Sequence, residues 1–165
     1  MTYKSKFGFG CMRLPLTDEK DPTSIDQELF NQMVDIYMEK GFNYFDTSYA
    51  YHNGTSEIAI RKAVVDRYPR ESYQICDKMP TWALTDEKDN EKFVNEMLER
   101  LNIDYFDVFF IHNINTPWFK LAEAHNAFDY IKKMKEDGTA KKIGFSFHDN
   151  ASLLEEVLDK YGDFL

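Results

Sequence analysis

Five short apolar or aromatic runs alternate along the chain with longer stretches in which apolar residues return every three or four positions. The runs are KFGFGC (6–11), NYFDTS (43–48), YQICDKM (73–79), YFDVFFIH (105–112) and KKIGFSF (141–147), and each has the length and residue content of a strand. In the first intervening stretch Ser24 and Gln27 stand at capping-box spacing. Leu29, Phe30, Met33, Val34 and Tyr37 form one stripe, and Gly41 follows where a helix end favours glycine. Ser56 and Glu57 open a second helix. Thr85 and the acids after it open a third, whose Phe93, Val94, Met97, Leu98 and Leu101 share a face. Leu121, Ala124, Phe128 and Ile131 predict a fourth, ended by Gly138. Leu153, Leu154, Val157, Leu158 and Tyr161 predict a fifth, ended by Gly162. Each stripe reads as core rather than as a cofactor box. Strand followed by helix, five times over, predicts an α/β fold around a parallel sheet.

That alternation fits an open doubly wound sheet or a (β/α)8 barrel, and the polar residues separate the two. Asp46 follows the apolar pair of the second run, Lys78 stands near the end of the third, His112 closes the fourth, and Ser146 and His148 flank the end of the fifth. Ionisable groups in such strands are costly unless paired, so any one of them alone is a structural ion pair or a satisfied core histidine. Together they describe a barrel, in which the carboxyl ends of several strands converge on one active face. A doubly wound sheet calls instead for a glycine-rich phosphate loop after the first strand. Here GFGCMRLP (8–15) has G-x-G but runs into Arg13, Leu14 and Pro15, not a third glycine and a helix.

Composition narrows the partners. The chain has 165 residues, 43% of them hydrophobic, which suits one domain spanning 1–165 with a real core. Twenty basic residues against 29 acidic give a net charge of −9, a poor basis for binding nucleic acid but no obstacle to a phosphorylated cofactor held by local donors. Cys11 and Cys76 form no C-x-x-C pair and read as reduced thiols. With no apolar run of membrane-spanning length, the expectation is a cytoplasmic protein without a membrane partner.

The strand-end residues define a chemistry. A tyrosine is a weak acid at neutral pH, an adjacent ammonium favours its phenolate, a carboxylate holds that ammonium in place, and a histidine orients a carbonyl oxygen. Asp46, Tyr51, Lys78 and His112 supply the four groups. In this arrangement FDTSYAYHNGTSE (45–57), ICDKMP (75–80) and YFDVFFIHNI (105–114) resemble the aldo/keto reductase family, whose pattern sets a Tyr five positions after an Asp, followed by a strand-end Lys and a strand-end His. IGFSFHDN (143–150) is similar to a bacterial branch that carries a ferredoxin-like iron–sulfur tail after the barrel. An iron–sulfur cluster is expected only in such a tail, which this chain lacks.

The resemblance implies an NADPH-dependent oxidoreductase acting on a small aldehyde or ketone. Tyr51 is then the general acid, Lys78 the neighbour that lowers its pKa, Asp46 the partner of Lys78, and His112 the carbonyl-orienting group. Tyr49 is packing. Gly10, Cys11, Met12 and Arg13 fall in the loop near the nicotinamide, and Asp46, Ser146 and His148 are assigned to the same cofactor, with Phe147 standing where many members carry Asn. Trp82 and Trp118, in the loops after the third and fourth strands, are assigned to the substrate pocket. Five strands of eight imply an incomplete barrel. An inactive fragment that self-associates through open sheet edges is therefore expected. Two alternatives stay open: a non-enzymatic binding or regulatory subunit on this scaffold, and a metal-dependent hydrolase using Asp46, His112 and His148.

Overall fold

The five runs pair, in order of sequence, into one parallel sheet. In the computed structural model, which describes residues 7–165, the strands are β1 (Phe9–Gly10), β2 (Tyr44–Asp46), β3 (Gln74–Met79), β4 (Val108–Ile114) and β5 (Ile143–Phe147). They lie in the order β1-β2-β3-β4-β5, every pair parallel. Each connection steps to the next neighbour without reversal, which is the winding of a barrel segment and not of a doubly wound sheet. Lys6, the first residue of the first run, lies outside the described residues.

The helices are α1 (Gln27–Glu39), α2 (Ser56–Ile60), α3 (Lys88–Leu101), α4 (Thr116–Ala124), α5 (Ala127–Asp137) and α6 (Ala151–Tyr161). Among the described residues none is long and apolar enough to cross a membrane. The cap of α1 is Asp26, whose carboxylate accepts the Leu29 amide at 2.9 Å. Ser24, assigned that role from its spacing, instead closes the preceding loop through the carbonyls of Asp18 and Asp21. Gly41, with φ +84°, does end the helix as its position requires. Only Phe30, Val34 and Tyr37 of the α1 stripe are buried; Leu29 and Met33 share the exposed flank with Ile36.

The fourth periodic stretch is two helices, not one. Asn126 takes a left-handed conformation (φ 55°), and the Asn90 side chain from α3 holds the carbonyl of His125 at 2.7 Å. The turn preserves the apolar period, so the break is invisible to it. Gly162 after α6 stays right-handed (φ −61°), and Leu158 on that helix is exposed.

Alternation along the strands sorts two faces. Phe45, Ile75, Asp77, Met79, Phe109 and Ile111 point to the helices and are fully buried. Tyr44, Asp46, Phe110 and His112 occupy the opposite, barrel-interior face and stay partly open. Gly144 is required by close approach on that face, since a Cβ there would lie 3.0 Å from the Phe110 ring. An aromatic cluster of Phe9, Phe30, Tyr37 and Phe45 closes the β1 end of the core, with Tyr37 donating its hydroxyl to the Tyr44 carbonyl at 2.9 Å.

Candidate active site

β2, β3 and β4 bring the strand-end residues to one face. Lys78, next to last in β3, places its Nζ 2.6 Å from Asp46 Oδ1 at the end of β2, and donates to the Thr47 carbonyl at 2.5 Å. The ammonium is nearly buried, with 6% of the side chain exposed, while a third of Asp46 remains open. Burial opposes that charge, but Cys76, Asp46 and Tyr51 favour it, and the net effect raises the Lys78 pKa. The lysine is charged and immobilised.

Tyr51 meets this ammonium from the turn after β2, with Lys78 Nζ 5.1 Å from its ring centroid. Its pKa is raised, where a lowered value is expected from the lysine alone. Burial is the largest influence and pushes the phenol up; Lys78 pulls down but does not overcome it, and Asp46 adds to the rise. The hydroxyl therefore holds its proton at neutral pH, and the lysine's effect is to make loss of that proton less costly than burial alone would allow.

His112 lies within β4, which continues to Ile114 instead of ending at the histidine. Its Nδ1 is 2.8 Å from Ser48 Oγ, and its ring meets Tyr51 edge-on at 5.8 Å between centroids. Burial, together with Lys78 and His148, depresses its pKa to about 4, so the imidazole is neutral near pH 7. When Ser48 donates to Nδ1, the ring hydrogen sits on Nε2. Thr81 fixes the same strand by donating to the His112 carbonyl at 2.9 Å.

Tyr51, His112, Met12, Trp82, Trp118 and His148 line a cleft of about 540 Å³, and Asn113 joins them. The two tryptophans touch, with centroids 5.3 Å apart; Trp82 also packs on His112. Trp118 stands in the first turn of α4, not in a loop. Gly10 and Arg13 are exposed beside the cleft's Met12, but Cys11 is not available there: it is fully buried in the core, its thiol directed at the Phe9 carbonyl and pushed up in pKa by burial. Asn113 adopts φ 59° at an irregularity in the β4–β5 register, and its amide N–H donates to Ser146 Oγ at 2.6 Å. Asp46, His112 and His148 do not form a ligand set; among the described residues no group of three His, Cys, Asp or Glu can hold a metal ion.

Residue types alone do not reveal what holds Tyr51. His52, Asn53 and Gly54 all have positive φ, and the His52 imidazole accepts from the Leu14 amide at 2.9 Å while its Nδ1 faces the Pro22 carbonyl at 2.8 Å. His52 thus pins the Tyr51 turn to the loop after β1. Such concentrated backbone strain persists only where its surroundings fix it. Tyr49 does more than pack: its hydroxyl donates to Glu96 at 2.7 Å under the Arg100 guanidinium. Ser48, His52 and Asn113 were each marked only by being polar beside a strand end, with Asn113 also belonging to the type that most tolerates left-handed backbone.

Known proteins resemble this chain in sequence and in fold. The sequence pattern of the aldo/keto reductase family matches residues 6–164. An aldo-keto reductase of Mycolicibacterium smegmatis is 30% identical over 114 residues, 67% of this chain and 37% of that protein. The L-galactose dehydrogenase of Arabidopsis thaliana is 28% identical over 146 residues, 86% of this chain and 44% of its own. Among solved structures, the holo form of an aldo-keto reductase from Bacillus halodurans superposes with a TM-score of 0.72 at 25% identity, over 94% of this chain and 50% of that one. An aldo/keto reductase from Brucella melitensis gives 0.66 at 21%, over 94% and 54%. The chain spans less than half the length of the curated relatives it matches, and its five strands correspond to part of a (β/α)8 barrel. With a family pattern running nearly end to end and a sheet wound as in those barrels, the chain belongs to the aldo/keto reductase family.

Proposed function

We propose that this chain carries the catalytic portion of a cytoplasmic NADPH-dependent reductase of small aldehydes or ketones. The observation that carries this reading is a protonated, half-buried Tyr51 beside an immobilised Lys78 and a neutral His112, all opening on one aromatic cleft. A nicotinamide fits the donors present. The Asn113 side chain lines the cleft with both a donor and an acceptor, and the Ser146 hydroxyl accepts from the Asn113 backbone while its own hydrogen has no acceptor among the described residues. Together they match a carboxamide.

NADPH, when bound, supplies hydride to the carbonyl carbon. Tyr51 gives its phenolic proton to the carbonyl oxygen, and Lys78 stabilises the phenolate that remains. Asp46 and the Thr47 carbonyl keep the ammonium from swinging into the cleft. His112, held through Nδ1 by Ser48, offers Nε2–H to the same oxygen and fixes its direction. Trp82 and Trp118 form an apolar wall that excludes water and suits a hydrophobic substituent. Among the described residues β1 and β5 are the edge strands of the sheet, and pairing there, with additional βα units or with a second copy, is expected before the nucleotide is held tightly.

The test is Tyr51→Phe in a protein with a complete barrel. Carbonyl reduction falls by about 10²–10⁴-fold, the range for loss of a general acid, while NADPH binding followed by fluorescence stays within a few-fold. Turnover unchanged by the loss of this hydroxyl would remove the role given to Tyr51.

A further inference from the structure

Lys78 has a fully buried acid as its chain neighbour, and the chemistry above makes no use of it. Asp77 points to the opposite face of β3, where Glu57 from α2 meets it; both are completely buried. One oxygen of each is committed. Asp77 Oδ1 accepts the Lys78 amide at 2.8 Å, and Glu57 Oε2 accepts from Arg100 Nη1 at 2.8 Å. The remaining oxygens, Asp77 Oδ2 and Glu57 Oε1, are buried with no donor to serve them. The two buried carboxyl groups are near enough for each to act on the other. Two carboxylates have no hydrogen to share, so the two unserved oxygens can satisfy each other only with a proton on one of them.

We propose that Glu57 and Asp77 hold a single proton between them, and that this acid pair, tied through Arg100 to Tyr49, positions the Tyr51 turn against the strand of Lys78. The connection is continuous. Arg100 lies 4.3 Å over the Tyr49 ring and also reaches Glu96, to which Tyr49 donates its hydroxyl. The Tyr49 amide donates to the Lys78 carbonyl at 3.4 Å. At the far end of the turn Arg100 Nη1 is 3.4 Å from where a Cβ on Gly54 would sit, so the guanidinium packs against both sides of Tyr51 in sequence. Glu57, Asp77 and Arg100 are positioning residues; none touches the cleft.

The charged groups around the pair are Arg100 and Glu96 from α3, with Lys78 and Asp46 across the sheet. Burial pushes both acids upward; Asp77 raises Glu57 further against the pull of Arg100, while the Lys78 amide and Glu57 itself hold Asp77 down, and the pair titrates as a unit. The folded protein then binds a proton that the unfolded chain releases at ordinary carboxylate pH. Stability from this source is complete at low pH and declines as pH rises through the pair's titration.

The experiment is performed on the purified protein with 13C-labelled Asp, Glu and Tyr, comparing the wild type with Glu57→Gln and Asp77→Asn. Each amide imitates the protonated acid, donating to its partner while keeping the committed oxygen. A carboxyl carbon titrating well above the ordinary carboxylate range in the wild type, and absent in both variants, is the expected result. The Tyr51 ring signal, assigned from Tyr51→Phe, shifts at the same pH in the wild type and not in Glu57→Gln. The melting temperature falls through that pH in the wild type and stays flat in Glu57→Gln. If every Asp and Glu carbon titrates in the ordinary range, no proton is shared; if the step occurs without moving Tyr51, the pair does not position it. The positioning claim rests on Tyr51 as the acid, but none of these signals needs turnover or nucleotide. Its failure is therefore distinct from a failure of Tyr51→Phe to lower activity.

Discussion

Lys78 and Asp77 are adjacent in β3 and both buried, yet their surroundings differ in kind. Lys78 faces the barrel interior, where its ammonium has one carboxylate, one carbonyl and a tyrosine ring, and the cleft lies beyond. Asp77 faces the helices, where its partner is a second acid closed in by Arg100. On the interior face a fixed charge stands beside solvent and can act on a ligand. On the helix face charge is nearly cancelled inside a sealed layer, and its effect is confined to the position of the elements it joins. Buried charge has opposite uses on the two sides of one strand.

The largest effect expected from breaking this contrast is in stability. Glu57→Ala leaves Asp77 and Arg100 without their partner in the sealed layer and destabilises by about 3–5 kcal/mol, as removal of one member of a buried charged set does. Lys78→Met places an apolar chain of similar length where the ammonium was, and water reaches the third of Asp46 that is already open, so the loss is about 1 kcal/mol or less. Urea unfolding of the two variants measures both, and equal losses would show that the faces are energetically alike.

The two faces also differ in the sign of their pH dependence. His112 titrates in the folded protein near pH 4, against about 6.5 when unfolded, so the unfolded chain binds its proton first on acidification. The stability it contributes is present above pH 6.5 and lost as pH falls toward 4. Replacing the imidazole in His112→Gln flattens that acid limb of the melting temperature profile and leaves the alkaline limb, assigned to Glu57 and Asp77, in place. An acid limb identical to the wild type's would contradict the neutral histidine.

The smallest effect sharpens the interior face alone. Ser48→Ala removes the hydroxyl at Nδ1 of His112 and lowers stability by about 1 kcal/mol, the usual net value of such a bond. In a complete enzyme it raises KM for the carbonyl more than it lowers kcat, because His112 keeps its chemistry but loses its fixed orientation. A change in kcat alone would place Ser48 in the chemical step instead.

The order of the strands, the barrel winding and the meeting of Asp46, Tyr51, Lys78 and His112 on one face were legible in the sequence, because alternation and spacing are local and solvent sorts apolar from polar residues one turn or one pleat at a time. The five-residue step from Asp46 to Tyr51 carried much of that reading. What the period could not express was decided by packing. The apolar stripe ran through Asn126 unbroken although the helix did not, since a single left-handed residue keeps the faces aligned. Cys11 counted as a loop residue until its neighbours buried it. The direction of the Tyr51 shift depended on how far burial outweighed Lys78, a balance of enclosure that no spacing records. Glu57 read only as a helix-opening acid, and nothing in the sequence pattern singled out Asp77 or Arg100. Only the rotation of α2 and α3 against β3 made them one buried group, because contacts between residues distant in sequence are set by the three-dimensional fit of whole elements.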